Sequence, residues 1–126
     1  MHIVVVEPDV VLGAVYRKAL TLAGHTVSLA SHAQQAVMVM DEKRPDLIVM
    51  ELQLRQHGGV EFLYEVRSYP EWSTIPVLVH SVIPSYRFSN LAALEQLNVV
   101  KYLYKPQTTL RQLCEAISST RHPSIV

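Results

Sequence analysis

Short apolar runs that alternate with longer stretches of helical character constrain the fold of this chain more than any other feature. Runs of this length predict parallel strands that are buried on both faces. In an open parallel sheet, ligands bind in the crevice at the carboxyl ends of the strands. Polar residues follow four of the runs, so we expect two carboxylates, a hydroxyl and an ammonium to meet there. The runs are 4–6 before Glu7, 47–50 before Glu51, 77–79 before His80 and Ser81, and 99–104 before Lys105.

The composition restricts the classes of protein that the chain can form. With 126 residues, 49% of them apolar, it suits one domain with a core that needs no disulfide, and Cys114 is its only cysteine. Its formal net charge is zero and no basic stripe is present, so we expect no nucleic-acid binding. No apolar run approaches the roughly 20 residues of a membrane span. The first residues enter a strand directly, which favours a cytoplasmic location.

Turn and cap residues divide the chain into five strand–helix units. Pro8 suits a first helical turn, Gly24 suits the end of that helix, and Ser31 with Gln34 suggests a capping box. Asn98 is expected to end the fourth helix in a left-handed conformation. Residues 1–126 form one domain, with 121–126 as a frayed tail. The expected strands are 2–6, 25–30, 46–50, 76–81 and 99–104; the expected helices are 8–23, 31–44, 60–68, 84–97 and 108–120.

Repeated strand–helix units predict an α/β fold in which right-handed crossovers place helices on both faces of a parallel sheet. At this size we expect the flavodoxin-like doubly wound arrangement, with five strands in the order 2-1-3-4-5. A flavin role needs a phosphate-binding loop after the first strand. The loop here, Glu7-Pro8-Asp9, is acidic and has no glycine, so a flavodoxin-like cofactor-binding protein is a distant alternative.

Several segments, in order and in register, resemble the receiver domain of two-component response regulators over essentially the whole chain. Residues 46–59 keep the family's spacing around its phosphoacceptor without a gap. Lys105-Pro106 matches the family's lysine–proline junction. Ser81 and Tyr102 fall at the family's hydroxyl and aromatic switch positions. The resemblance implies a role in phosphorelay signal transduction rather than that of an enzyme.

The chain departs from the family at the residues that bind metal and accept the phosphoryl group. Glu51 replaces the phosphoacceptor aspartate, and Pro8 replaces the second acid that follows the first strand. Asp9 is a poor substitute, because one helical residue turns it about 100° away. The resemblance implies Mg²⁺ ligands at Glu7, Glu51 and the carbonyl of Gln53, and the missing acid weakens that set. We therefore expect no cofactor beyond weakly bound Mg²⁺.

Two positions beside the expected site also differ from the family. Val82 stands where a small residue is usual and would narrow the entrance, and Arg55 stands where a proline is usual. Glu51 is one methylene longer than aspartate, so its single charge reaches toward Ser81 and Lys105 as a partial mimic of a phosphoryl group. This pattern favours an atypical pseudo-receiver that acts as a protein-interaction module. A receiver that is still phosphorylated weakly, with Mg²⁺, is the alternative.

The family resemblance also suggests the partners. They are a histidine kinase, an output domain on a longer chain or another signalling protein. In the family, the face formed by the fourth helix, the fifth strand and the fifth helix carries partner binding, and a homodimer through this face is possible. Aromatic and arginine side chains, which are enriched in binding hot spots, occur there. The residues expected on this face are Tyr86, Arg87, Asn90, Lys101, Tyr102 and Arg111.

Overall fold

The computed structural model describes residues 1–55, 58–87 and 91–120. Strands and helices alternate along the chain, and three short 3₁₀ turns at Pro70–Trp72, Ser85–Arg87 and Lys105–Gln107 join some of them. The strands are β1 His2–Val6, β2 Thr26–Ala30, β3 Leu47–Met50, β4 Val77–Ser81 and β5 Val99–Tyr104. The helices are α1 Val10–Leu22, α2 Ala33–Glu42, α3 Gly59–Ser68, α4 Leu91–Gln96 and α5 Leu110–Ser119.

All five strands join one parallel sheet in the order β2-β1-β3-β4-β5, which confirms the predicted fold. In the register of the sheet, Val6 lies beside Met50 and Met50 lies beside Val79. The polar residues that follow these strands therefore leave the sheet at one edge. In the part of the chain that the structure describes, no helix is long and apolar enough to cross a membrane.

Alternate residues of the central strands face opposite sides of the sheet, and each side buries its own core. This is why β1 and β3 are buried along their whole length rather than at alternate residues. One core lies under α2, α3 and α4 and includes Val4, Val6, Ile48, Met50, Ala36, Phe62 and Leu94. The other core lies under α1 and α5 and includes Ile3, Val5, Leu47, Val49, Tyr16, Leu113 and Ile117.

Four helices, α1, α2, α4 and α5, begin later than the sequence predicted. Asp9, rather than a residue before Pro8, caps α1, because its Oδ1 accepts hydrogen bonds from the N–H groups of Val11 and Leu12 at 3.0 and 3.1 Å. This carboxylate satisfies two N–H groups that have no partner within the helix. Proline is compatible with the turn that precedes it.

The second helix is capped one residue beyond the predicted position. His32 is the N-cap of α2, and its Nδ1 accepts from the N–H of Gln35 at 3.2 Å. Gln35 reaches back in turn, and its Oε1 accepts from the N–H of Ser31 at 2.8 Å. Because Ser31 precedes the N-cap residue, this exchange differs from a capping box, and the predicted pair of Ser31 and Gln34 is wrong.

The fourth helix is shorter than predicted. The region 84–97 contains the 3₁₀ turn Ser85–Arg87 and the six-residue α4, instead of one continuous helix. Asn98 has φ of 59° and Gly24 has φ of 95°, so both left-handed ends occur where they were predicted. Asn90 and the predicted frayed tail, 121–126, lie outside the described residues.

Gly59 fixes the loop that follows β3. A Cβ atom at this position would lie 2.6 Å from Cα and 2.7 Å from the carbonyl oxygen of Leu52, distances that side chains do not tolerate. The N–H of Gly59 donates to that same oxygen at 2.9 Å. The start of α3 is therefore held against the residue that directly follows Glu51.

We predict that Gly59→Ala lowers the free energy of unfolding by about 1–3 kcal/mol, because the added methyl forces backbone apart in a packed region. Urea unfolding of the intact chain would measure this. Gly58→Ala is the matched control, since among the described residues its Cβ would meet only the Glu61 side chain, at 3.5 Å. Equal stability of the two variants would contradict the role assigned to Gly59.

Candidate functional site

The carboxyl ends of four strands bring the predicted polar residues together. Glu7 follows β1, Glu51 follows β3, Ser81 ends β4 and Lys105 follows β5. Glu7, Glu51 and Ser81 are 7%, 4% and 0% exposed, so these groups lie below the surface rather than in free solvent. The convergence that the strand ends predicted is therefore present, as a buried polar cluster.

Lys105 forms ion pairs with both carboxylates of the cluster. Its Nζ lies 2.7 Å from Oε1 of Glu7 and 2.8 Å from Oε1 of Glu51. The side chains of Lys105, Glu7 and Glu51 are 14%, 6% and 3% exposed, so water screens these ion pairs weakly. Burial opposes the charge of the ammonium, but hydrogen bonds to Glu51 and Glu7 outweigh it and raise the pKa of Lys105. The ammonium stays protonated and joins three segments distant in sequence.

The carboxylate of Glu51 has hydrogen-bond donors on both oxygens. Oε2 accepts from the N–H of Gln53 at 2.9 Å and from the hydroxyl of Ser81. Oε1 accepts from the N–H of Val82 at 3.0 Å and from Lys105 at 2.8 Å. Burial alone would raise the pKa of Glu51, but these donors, led by the N–H of Gln53, lower it below the ordinary value of 4.5. Glu51 is therefore ionised at neutral pH.

Glu7 is held from the other side by the start of α1. Its Oε2 accepts from the N–H of Asp9 at 3.0 Å, while its Oε1 is paired with Lys105. The carboxylate of Asp9 points to the N–H groups of Val11 and Leu12 as the helix cap. Asp9 lines the cleft above the cluster but does not join the ion pairs.

A chain of hydrogen bonds leads from Glu51 to Tyr102 on β5. The hydroxyl of Ser81 donates to Glu51 and accepts from the N–H of Ile83 at 3.0 Å. The carbonyl of Ile83 accepts from the hydroxyl of Tyr102, whose half-buried ring packs against the core under α4. Neither Ile83 nor the N–H of Val82 was predicted from the sequence, because main-chain groups carry no side-chain signature. The predicted switch residues, Ser81 and Tyr102, are thus linked through the main chain.

His80 immediately precedes Ser81 in β4, and nothing in the sequence indicated a role for it. It is 4% exposed, and its ring packs edge-on against Tyr16 with centroids 5.4 Å apart. Its Nε2 has no hydrogen-bond partner among the residues that the structure describes. Burial, together with the positive charge of Lys105, lowers the pKa of His80 to about 4, although Glu51 opposes the shift. His80 is therefore neutral at pH 7. At a buried position of a central strand, an apolar residue would have been expected instead of histidine.

An open cleft of about 620 Å³ leads from the surface to the cluster. Glu7, Glu51 and Lys105 form part of its lining, and Arg55 lines it as well. Val82, which the sequence predicted would narrow the entrance, also lines the cleft and is 43% exposed.

The ammonium of Lys105 lies between the two carboxylates that would have to bind a divalent cation. Mg²⁺ demands octahedral oxygen coordination, and here only Glu7 and Glu51 supply carboxylates from the predicted set. No group of three or more His, Cys, Asp or Glu side chains within the described residues is arranged to hold a metal ion. The residues present therefore do not fit a tightly bound Mg²⁺ ion.

Comparison with known proteins places residues 3–118 in one family. They match the family model described as the response regulator receiver domain. The KDP operon transcriptional regulatory protein KdpE of Escherichia coli is 30% identical over 128 residues, which cover 97% of this chain and 55% of that protein. The transcriptional regulatory protein ZraR of Klebsiella oxytoca is 29% identical over 126 residues, which cover 96% of this chain and 27% of that protein. The chain thus spans about half, or less, of these curated relatives.

Solved structures show the same fold at lower sequence identity. A two-component response regulator from Clostridium difficile superposes with a TM-score of 0.84 at 23% identity, and covers 98% of this chain and 99% of its own. The chemotaxis response regulator CheY4 of Vibrio cholerae superposes with a TM-score of 0.83 at 19% identity, and the match covers 94% of this chain and 96% of CheY4.

Proposed function

The chain belongs to the response regulator receiver domain family, and from that premise we propose that it is a receiver that signals without accepting a phosphoryl group. The observation that carries this proposal is the engagement of both carboxylate oxygens of Glu51 by Ser81, Lys105 and two main-chain N–H groups. In this account the domain is a protein-interaction module rather than an enzyme.

The side chain of Glu51 supports the proposal on chemical grounds. A receiver needs a free carboxylate oxygen to attack phosphorus and donors left over to hold the incoming phosphoryl oxygens. In this chain Lys105 and Ser81 already donate to Glu51 itself. The Glu51 carboxylate is thus placed as a one-charge substitute for a phosphoryl group, which carries nearly two charges at neutral pH.

The charge balance of the cluster supports the same proposal. Two carboxylates, Glu7 and Glu51, share the single ammonium of Lys105. Pro8 stands where the family has a further acid, and Asp9 is engaged as a helix cap. Phosphoryl transfer requires a cation that neutralises developing charge, and the ligands for it are incomplete.

A series of hydrogen bonds connects the carboxylate of Glu51 to Tyr102 on β5. Glu51 holds Ser81, Ser81 binds the N–H of Ile83, and the carbonyl of Ile83 binds Tyr102. We propose that this connection keeps Tyr102 half-buried in one state. The face that includes Tyr102 would then be presented to partners permanently.

We predict that acetyl phosphate with Mg²⁺ leaves the wild-type chain unmodified in prompt intact-mass spectrometry. The double variant Pro8→Asp/Glu51→Asp restores the second acid and the shorter acceptor, and it should gain one phosphoryl group. Glu51→Asp alone is the matched control, and it should be modified less than the double variant because the second acid is still missing.

Stoichiometric modification of the wild type would establish the alternative function, a Mg²⁺-dependent receiver that is still phosphorylated. Modification of the double variant alone would support the proposal, because it shows that the rest of the pocket is competent. If neither protein is modified, Pro8 and Glu51 are not what prevents the chemistry, and the roles assigned to these two residues are wrong.

The partner surface that we propose lies around β5. Tyr86 is 81% exposed and Val100 is 48% exposed, and Lys101 and Arg111 are exposed as well. Surface aromatic and arginine side chains of this kind are typical binding hot spots. We propose that a kinase, an output domain or another signalling protein binds to this surface, or that a second copy of the chain forms a weak homodimer.

We predict that Arg111→Glu weakens partner binding or dimerisation at least tenfold, because it reverses a charge on the surface that we propose. Light scattering across a concentration series measures the dimer, and a pull-down quantifies partner binding. Arg17→Glu makes the same substitution on the exposed side of α1 and is the matched control. If Arg111→Glu and Tyr102→Ala both leave association unchanged, the surface around β5 is not the interface.

A further inference from the structure

The fourth helix depends on the rest of the chain for its position. α4 has six residues, whereas an isolated helix needs about 12–15 to be stable in water. Leu94 and Leu97 attach it to the core under α2, α3 and α4, since they are 5% and 6% exposed. Apolar contacts of this kind are not directional, so polar contacts are needed to fix where the helix ends.

Arg67, in the last turn of α3, makes such a contact with the end of α4. Its Nε donates to the carbonyl of Leu97, the residue that follows α4, at 2.8 Å. Its Nη1 donates to the carbonyl of Trp72 at 2.9 Å. A cation near the last carbonyls of a helix is favourable, because those oxygens carry partial negative charge. One guanidinium thus joins α3, the turn that follows it and the carboxyl end of α4.

The surroundings of this guanidinium are unfavourable for a charge. Within the described residues, both of its hydrogen bonds go to main-chain carbonyls, and Nη2 of Arg67 is buried without a partner. A buried charge without a carboxylate and a buried N–H group without an acceptor are both costly. Arg67 therefore contributes little to overall stability. Its distinctive contribution is a fixed geometry between two separate carbonyls, which the planar guanidinium provides.

The turn after α4 leads directly into β5 and is held from a second side. Asn98 has φ of 59°, and its Nδ2 donates to the carbonyl of Thr74 at 3.1 Å. This bond fixes the residue beyond the helix. The bond from Arg67 is different, because the N–H of Leu97 still donates to the carbonyl of Ala93 within α4 at 3.1 Å. Arg67 therefore holds the last turn of the helix itself.

The side of α4 that faces Tyr102 is less closely packed. An open cavity of about 260 Å³ lies between α4, β5 and the turn Ser85–Arg87. Its lining includes Leu94 and Glu95 of α4 and Val100 and Tyr102 of β5. Protein interiors are close-packed, so an unfilled volume of this size leaves the helix room to shift against the strand. α4 is thus fixed at its carboxyl end and has space beside Tyr102.

We propose that Arg67 is the positioning residue of the partner surface around β5, and that its bond to Leu97 makes the carboxyl end of α4 a pivot. The helix turns about this pivot when the connection through Ser81, Ile83 and Tyr102 changes. The role of the surface rests on the proposed function, and the pivot is what the inference adds to it. A partner that contacts α4 and β5 together would depend on Arg67, which does not line the cavity beside Tyr102.

Arg67→Met tests the proposal, because it keeps an unbranched apolar stem and removes both hydrogen bonds. Amide hydrogen exchange of the intact chain should become about tenfold faster, or more, at Leu97 and Asn98, since the end of α4 is released. The amide chemical shifts of Val100 and Tyr102 should change as well, although Arg67 does not line their cavity. The midpoint of urea unfolding should change little, because an unfavourable buried charge is removed together with the two bonds.

Two further variants separate the geometry from the charge. Arg67→Lys keeps the charge but not the planar guanidinium, so it should restore only part of the protection at the end of α4. Arg44→Met is the matched control, because Arg44 also donates from Nε to a carbonyl of the same connection, that of Glu71 at 2.9 Å. It should leave exchange in α4 unchanged. Phe62, whose N–H donates to the carbonyl of Gly58 at 3.1 Å, is the internal reference in α3.

Three results would overturn the proposal. They are unchanged exchange at Leu97 and Asn98 in Arg67→Met, unchanged shifts of Val100 and Tyr102, and faster exchange that is equal at Phe62 and throughout the chain. The last result would show a loss of overall stability instead of a released helix end. If Arg67→Met does not fold, Arg67→Lys decides by the same criteria. None of these measurements involves phosphorylation or a partner, so a failure here is distinguishable from a failure of the proposed function.

Discussion

The ammonium of Lys105, held between the carboxylates of Glu7 and Glu51, is the interaction on which the rest of the site depends. The distances of 2.7 and 2.8 Å join the ends of β1, β3 and β5 across the sheet. Removing these charges from water is costly, and the direct pairing and the N–H donors around Glu51 offset that cost. Gly59 contributes by fixing the loop that places the N–H of Gln53 against Glu51. The parallel sheet brings Glu7, Glu51 and Lys105 together, and the charges of these side chains determine what the site can do chemically.

In the proposed function, the same interaction distinguishes this chain from a receiver that cycles between two states. A phosphoryl group is transient, whereas the carboxylate of Glu51 is a permanent part of the side chain. It occupies Ser81 and Lys105, and through Ile83 it reaches Tyr102 on β5. Under this proposal, a ligand or partner would change the partner surface around β5 only by competing with these bonds or by binding the surface as it stands.

The sequence predicted the strand order and the meeting of Glu7, Glu51, Ser81 and Lys105, because the length of the apolar runs and the handedness of the crossovers leave few arrangements. The predicted first residues of the helices were less accurate. The N-cap position of a helix depends on which of several nearby polar side chains reaches its first N–H groups. In α1 that residue is Asp9. Helix propensity alone does not determine this choice. Main-chain donors such as the N–H groups of Val82 and Gln53 have no pattern in the sequence. They become visible only when the packing is known.

The pH titration of the Glu51 carboxyl carbon by nuclear magnetic resonance tests the central claim most directly. Because hydrogen bonds lower the pKa of Glu51 in the folded chain, the group stabilises the fold above its ordinary value of 4.5, and that contribution is lost as pH falls through the lower folded value. The account predicts a titration below 4.5 that moves up toward the ordinary value when Lys105 is replaced by methionine and Ser81 by alanine. A carboxyl that titrates at or above 4.5 in the wild type, or that does not respond to either substitution, would contradict it.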